Sequence, residues 1–189
     1  MDKINDILNN DGVIAFVTDT VWGLGCLPTS EKAVKKIYEI KCREAKKPLI
    51  LMSYDVYPLF DFVKQPIVKP AQRLIKDYFP GALTLVVEKS INTPDYITSG
   101  MSTVGIRVPE NETFSKICQS IDGRVLATTS ANISGEPPAL TYEEALNYIG
   151  DKVDLVVPDY GCVAKGKAST VVGFKDNKIV VFRQGEIQL

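Results

Sequence analysis

An α/β domain built on a twisted, mixed β-sheet with flanking helices is the architecture this sequence predicts, and three observations carry it. Short β-branched or apolar runs alternate along the chain with segments of helical apolar spacing. Apolar residues make up 45% of the 189 and charged ones 24%, which suits a single self-sustaining core over residues 1–189. The last two β-rich runs, 169–173 and 178–182, flank Asp176-Asn177, a two-residue hairpin signal. A hairpin pairs its strands antiparallel, so the sheet is expected to be mixed.

Taken in order, residues 3–8 form a short amphipathic helix, and the apolar run 12–17 is too short for a helix and reads as a buried strand. Residues 31–40 place Ala33, Val34, Ile37 and Tyr38 on one helical face, with Ser30 as N-cap. A strand is expected at 48–52, then a helix over 70–78 that stops at Pro80-Gly81. Strands follow at 83–88 and at 103–108, before Pro109. Phe114, Ile117, Cys118 and Ile121 keep the i, i+3, i+4, i+7 spacing of a helix. Residues 125–129 read as a strand ending in the polar turn 130–135. Thr141 and Glu144 form a capping-box pair for a helix that Gly150 closes, and 154–157 is a further strand.

Composition removes several function classes. A formal net charge of -1 argues against a protein whose main business is coating nucleic acid, although seven basic residues face only Glu39 and Glu44 between Lys32 and Lys47. Residues 1–11 do not resemble a signal peptide and no run of 18 apolar residues exists, so a cytoplasmic location without membrane attachment is expected. Cys26, Cys42, Cys118 and Cys162 lack a C-x-x-C spacing and are expected to be free thiols. The chain contains no histidine, which excludes Ser-His-Asp and Cys-His catalysis and histidine zinc sites.

Two motifs fail on inspection. Residues 161–168 match a phosphate-binding P-loop until Ala168, where a magnesium-holding hydroxyl is needed, and a strand rather than a helix is expected next. Gly23-Leu24-Gly25 is followed by Pro28 where a dinucleotide fingerprint requires its third glycine.

Polar groups nonetheless gather at strand ends, where open α/β sheets bind ligands. Thr18 and Thr20 flank Asp19 after the first strand, and their hydroxyls suit either a small polar substrate or a self-bonded turn. Lys41, Arg43 and Lys47 lie beyond a helix C-terminus, where cations complement the helix dipole or would neutralise a triphosphate. Arg107 stands in the apolar run Val104–Pro109, so its guanidinium needs an anionic partner, an internal carboxylate or a ligand. Thr128, Ser130 and Asn132 make a donor-rich turn, and Ser169 and Arg183 complete the set.

The segments 12–25, Lys41-Cys42-Arg43 with Lys47-Pro48-Leu49, Pro80-Gly81 before Leu83-Thr84-Leu85, Gly105 to Pro109, Ser130 to Gly135 and Ser169 to Val172 together resemble, in this order, the YrdC/TsaC family. Val17, Trp22 and Met52 stand where that family usually has proline, often tyrosine, and in some longer members histidine. The resemblance implies a YrdC-like fold with a concave basic pocket, and the synthesis of threonylcarbamoyl-AMP and pyrophosphate from L-threonine, bicarbonate or CO2, and ATP. On that basis Lys41, Arg43, Lys47, Thr103, Ser130, Asn132 and Arg183 are expected to hold ATP. Thr18, Thr20, Arg107, Thr128 and Ser169 would hold threonine and its carbamate, with Arg107 on the carboxylate. No protein nucleophile and no metal cage are expected; Mg2+ would arrive on the phosphates. A separate transferase would pass the group to tRNA. The alternatives are a non-synthetic paralogue that binds tRNA or double-stranded RNA weakly, and a carbamoyl-adenylate enzyme.

Overall fold

The computed structural model describes residues 2–42 and 47–189. Its elements are α1 (Asp2–Asn9), β1 (Ile14–Phe16), β2 (Gly23–Cys26), α2 (Glu31–Ile40), β3 (Ile50–Ser53), a 3₁₀ helix (Tyr57–Phe62), α3 (Lys69–Tyr78), β4 (Leu83–Glu88), α4 (Asp95–Thr98), β5 (Thr103–Arg107), α5 (Glu112–Gln119), β6 (Val125–Ser130), α6 (Tyr142–Ile149), β7 (Leu155–Val156), β8 (Thr170–Lys175) and β9 (Lys178–Arg183). The strands form one mixed sheet in the order β7-β1-β2-β6-β3-β5-β4-β8-β9. Parallel pairs are β1 with β7, β3 with β5 and β4 with β8; the remaining neighbours are antiparallel.

Local chemistry explains most boundaries. Ser30 caps α2 by accepting from the Ala33 N–H, Asn111 caps α5 at Phe114, and Thr141 caps α6 at Glu144. Glu144 completes its box one residue early, taking the Leu140 N–H at 2.7 Å. Asp176 and Asn177 have φ of 50° and 57°, the left-handed pair that a tight hairpin turn requires. Sequence reasoning missed β2, because the glycines carry no strand signal of their own. They are in a strand because the Phe16 ring lies across them: a Cβ on Gly25 would sit 2.8 Å from Phe16 Cε1. The 3₁₀ helix and α4 were likewise not expected.

Strand alternation sorts the core onto two faces. Val13, Ala15, Val17, Leu49, Leu51, Val125, Ala127, Leu83 and Leu85 belong to the larger cluster, packed with α2 and α3 residues such as Ile37 and Leu74. Ile14, Phe16, Met52 and Leu126 point the other way and meet Ile4 and Leu8 of α1 and Phe114, Ile117 and Cys118 of α5. This second layer covers only part of its face. Burial pushes the Cys26 thiol up to about 12 and raises Cys118 further, so these two are inert packing groups, one in each cluster.

Candidate functional site

The stretch of the second face that α1 and α5 leave open is a cavity of about 440 Å³. Its floor carries Ile50 and Met52 of β3, Thr84 of β4, Arg107 of β5 and Thr128 of β6; its walls are Thr18, Thr20, Lys47, Ser130, Ser169 and Arg183. Gly105 helps make the room, since a Cβ there would lie 2.6 Å from Ile50 Cγ2.

Arg107 is 3% exposed and is held on three sides. Its Nε donates to the Gly81 carbonyl at 3.0 Å, Nη1 to Thr20 Oγ1 at 2.8 Å, and Nη2 to Asp19 Oδ1 at 2.5 Å. Burial draws its pKa below the usual arginine value; Asp19 opposes that, and the neighbouring positive Arg183 adds to it. Among the described residues, then, three of its five N–H groups have protein acceptors, which leaves one on each Nη. The sequence offered an internal ion pair or an anionic ligand for Arg107. The fold supplies the ion pair and keeps the residue in the cavity lining.

The hydroxyls around it have definite directions. Thr18 donates to the Val21 carbonyl at 2.6 Å, so across the 3.1 Å contact between Thr18 and Thr20 the proton belongs to Thr20. Thr20 can then accept from Arg107. The Asp19 and Thr20 carbonyls receive the Lys165 and Gly166 N–H groups at 3.1 and 2.8 Å, which docks the 161–168 loop onto this turn. That loop leads directly into β8, as its failure as a P-loop requires. On the opposite wall Arg183 donates from Nε and Nη2 to the Ser169 carbonyl, and Ser169 Oγ meets Thr84 Oγ1 at 2.9 Å. Partial burial lowers the pKa of Arg183.

Of the residues singled out from sequence, Thr18, Thr20, Lys47, Arg107, Thr128, Ser130, Ser169 and Arg183 line this one cavity. Lys41 and Asn132 stand behind the wall: the Lys41 ammonium donates to Ser130 O, Asn132 O and Asn132 Oδ1. Thr103 starts β5, at the end opposite Arg107, paired with Glu88 and outside the lining. Arg43 lies outside the described residues. Thr84 and Asp19 gained no role from sequence, although a lone hydroxyl between Leu83 and Leu85 was a usable signal. A second concavity of about 680 Å³ is larger, but its charged groups answer each other, Lys64 with Glu88 and Lys89 with Asp95. Chemistry therefore favours the smaller one. Among the described residues no cluster of three or more Cys, Asp or Glu could hold a metal, and no helix is long and apolar enough to cross a membrane.

Comparison with known proteins bears on the family and the fold. Residues 6–185 match the Sua5/YciO/YrdC family model, described as telomere recombination. A threonylcarbamoyl-AMP synthase of Enterobacter sp. (strain 638) is 34% identical over 157 residues, 82% of each chain. One from Pyrococcus abyssi is 38% identical over 94% of this chain, which spans about half (51%) of that protein's length. P. abyssi Sua5 complexed with L-threonine superposes with a TM-score of 0.88 at 33% identity, over 97% of this chain and 54% of that one. E. coli YciO gives 0.84 at 26% identity, over 97% and 89% of the two chains. With the match running almost end to end, and with the same fold, the chain belongs to the Sua5/YciO/YrdC family.

Proposed function

We propose that this chain is a nucleotidyltransferase that joins L-threonine, bicarbonate or CO2, and ATP into threonylcarbamoyl-AMP, releasing pyrophosphate. The observation that carries the reading is Arg107, whose guanidinium is fixed by Asp19, Thr20 and Gly81, lines the cavity, and has one N–H on each Nη without an acceptor among the described residues. A carboxylate is the kind of anion that such charge-assisted donors take. Thr128, Ser169 and Thr84 offer hydroxyls beside it for the amino acid and its carbamate, while Lys47, Ser130 and Arg183 form the rest of the wall for the nucleotide.

The chemistry asks for placement and charge neutralisation. Threonine's amine adds to CO2 and loses a proton, giving a carbamate. A carbamate oxygen then forms a bond to the α-phosphorus as the bond to the β-phosphate oxygen breaks, and pyrophosphate leaves with that electron pair. Holding two anions in line within a partly dry cavity accounts for most of the help a protein can give such a step. Among the described residues Asp19 is paired with Arg107, and Mg2+ would come to the site on the phosphates of ATP. The product is a mixed anhydride, which a separate transferase acting on tRNA would consume.

The test is pyrophosphate release from ATP and Mg2+ in bicarbonate buffer, with and without L-threonine, and then with serine. Threonine-dependent release is expected. The absence of release with either amino acid would refute the reading.

A further inference from the structure

The cation that follows α2 is engaged by the protein itself. Lys41 is 2% exposed, and each of the three protons of its ammonium has an oxygen of the 130–132 turn: Ser130 O at 2.7 Å, Asn132 O at 2.9 Å and Asn132 Oδ1 at 2.7 Å. The backbone repeats the connection, since the Lys41 carbonyl accepts the Ser134 N–H at 3.0 Å. Asn132 is oriented as a result. Its Oδ1 also accepts from Ser130 Oγ at 2.8 Å, which leaves its Nδ2 to donate to the Glu136 carbonyl. Ser130 lines the cavity and Lys41 does not.

We propose that Lys41 is a positioning residue: it fixes the Ser130–Asn132 turn against which the nucleotide binds, and it does not touch the phosphates. To reach a phosphate its ammonium would have to leave a buried carbonyl without its donor, which is the costly way to lose a hydrogen bond. The proposal rests on the ATP reading above. It deepens that reading by separating the residues that meet ATP from the one that sets their geometry.

The experiment is a mutant cycle on ATP affinity by calorimetry, with wild type, Lys41→Met, the turn variant Ser130→Ala/Asn132→Ala, and the combination. If Lys41 acts through the turn, each change alone weakens ATP on the order of tenfold, and the combination is no more than about twofold weaker than the turn variant, because coupled sites do not add. Losses that multiply would place the ammonium on the phosphates and overturn the proposal. Unchanged affinity in Lys41→Met would overturn it too. Should Lys41→Met fail to fold, Lys41→Gln decides the matter: its amide keeps two donors for the turn without the charge. A positioning role predicts that it recovers most of the wild-type affinity, and a phosphate contact predicts that it does not. Threonine affinity, read in the same samples, is expected to change less than ATP affinity, since Lys41 holds the 130–132 turn and not the Arg107 side of the cavity. A general collapse of the fold would lower it. Failure of the wild type itself to bind ATP would refute the synthase reading instead, which keeps the two failures distinct.

Discussion

At the scale of single residues, Arg107 and Asp154 show how differently two ion pairs behave. The Arg107–Asp19 pair is almost wholly buried, and removing one partner from such a pair typically costs about 3–5 kcal/mol because the other charge is left uncompensated. The informative change is therefore Arg107→Lys, which keeps the charge but lacks the fork. Its threonine KM should rise at least about tenfold, the loss of roughly one charge-assisted hydrogen bond, while the ATP KM moves little. Equal changes in both constants would remove the carboxylate assignment. Asp154 is half-exposed and takes the Val13 N–H at 2.7 Å together with Lys36 Nζ at 2.6 and 2.8 Å. Partial burial pushes its pKa up, but Lys36 and the Val13 N–H prevail and hold it below the usual aspartate value. A lowered folded pKa means the unfolded chain takes up the proton first. The stabilisation is thus present above the ordinary aspartate pKa and disappears as pH falls through the lowered value. Because the pair is exposed to solvent, its size is below about 1 kcal/mol. Urea unfolding at pH 7 and pH 3 should show a smaller acid loss in Asp154→Asn than in the wild type, and an equal loss would show that Asp154 contributes nothing.

Elements were legible where periodicity and caps coincide. The helix at 31–40 and the strand at 83–88 fall where spacing placed them, and Ser30, Thr141 and Asp176-Asn177 do what their chemistry dictates. What stayed hidden was β2, since a strand of alternating glycines carries no β-propensity of its own and exists to admit a neighbour's ring. Gly105 in β5 has the same logic turned towards function. An added methyl would press on Ile50, and Ile50 is cavity floor between β5 and β6 with backbone on both sides. Gly105→Ala should cost about 1–3 kcal/mol in overpacking and raise the threonine KM as Ile50 is driven into the pocket. Gly173→Ala is the control, because its Cβ would meet the Phe182 ring at 2.6 Å, and that ring is 62% exposed at the sheet edge and can swing away. A Gly105→Ala enzyme as stable and as active as Gly173→Ala would show that the floor tolerates filling.

Across the whole molecule, the site is a property of the sheet order and could not be read from any segment. Thr18 and Arg183 lie at opposite ends of the chain, yet both border one cavity, because β8 and β9 are added beyond β4 while the first strands enter from the other side. The sequence supplied the candidate groups at strand ends; it could not say that Thr103 starts β5 at the end opposite Arg107, outside this lining, or that Lys41 faces a turn. A site assembled from β2 to β9 exists only in the folded chain, so a ligand that fills it stabilises the fold as a whole. At a hundredfold excess over Kd that linkage is worth about 2.7 kcal/mol. For a domain of this size it corresponds to a rise in Tm of roughly 5–10 °C. Thermal unfolding should therefore show ATP and threonine each raising Tm. Arg183 sits on the edge strand and its side chain bonds only Ser169 among the described residues, so Arg183→Ala should lower the unliganded Tm by only a few degrees, the value of about 1 kcal/mol of hydrogen bonding. Its ATP-induced rise should shrink to less than half. An undiminished rise in Arg183→Ala would mean that the nucleotide does not reach the β8–β9 end of the cavity, and the wall assigned to it would have to be redrawn around Lys47 and Ser130 alone.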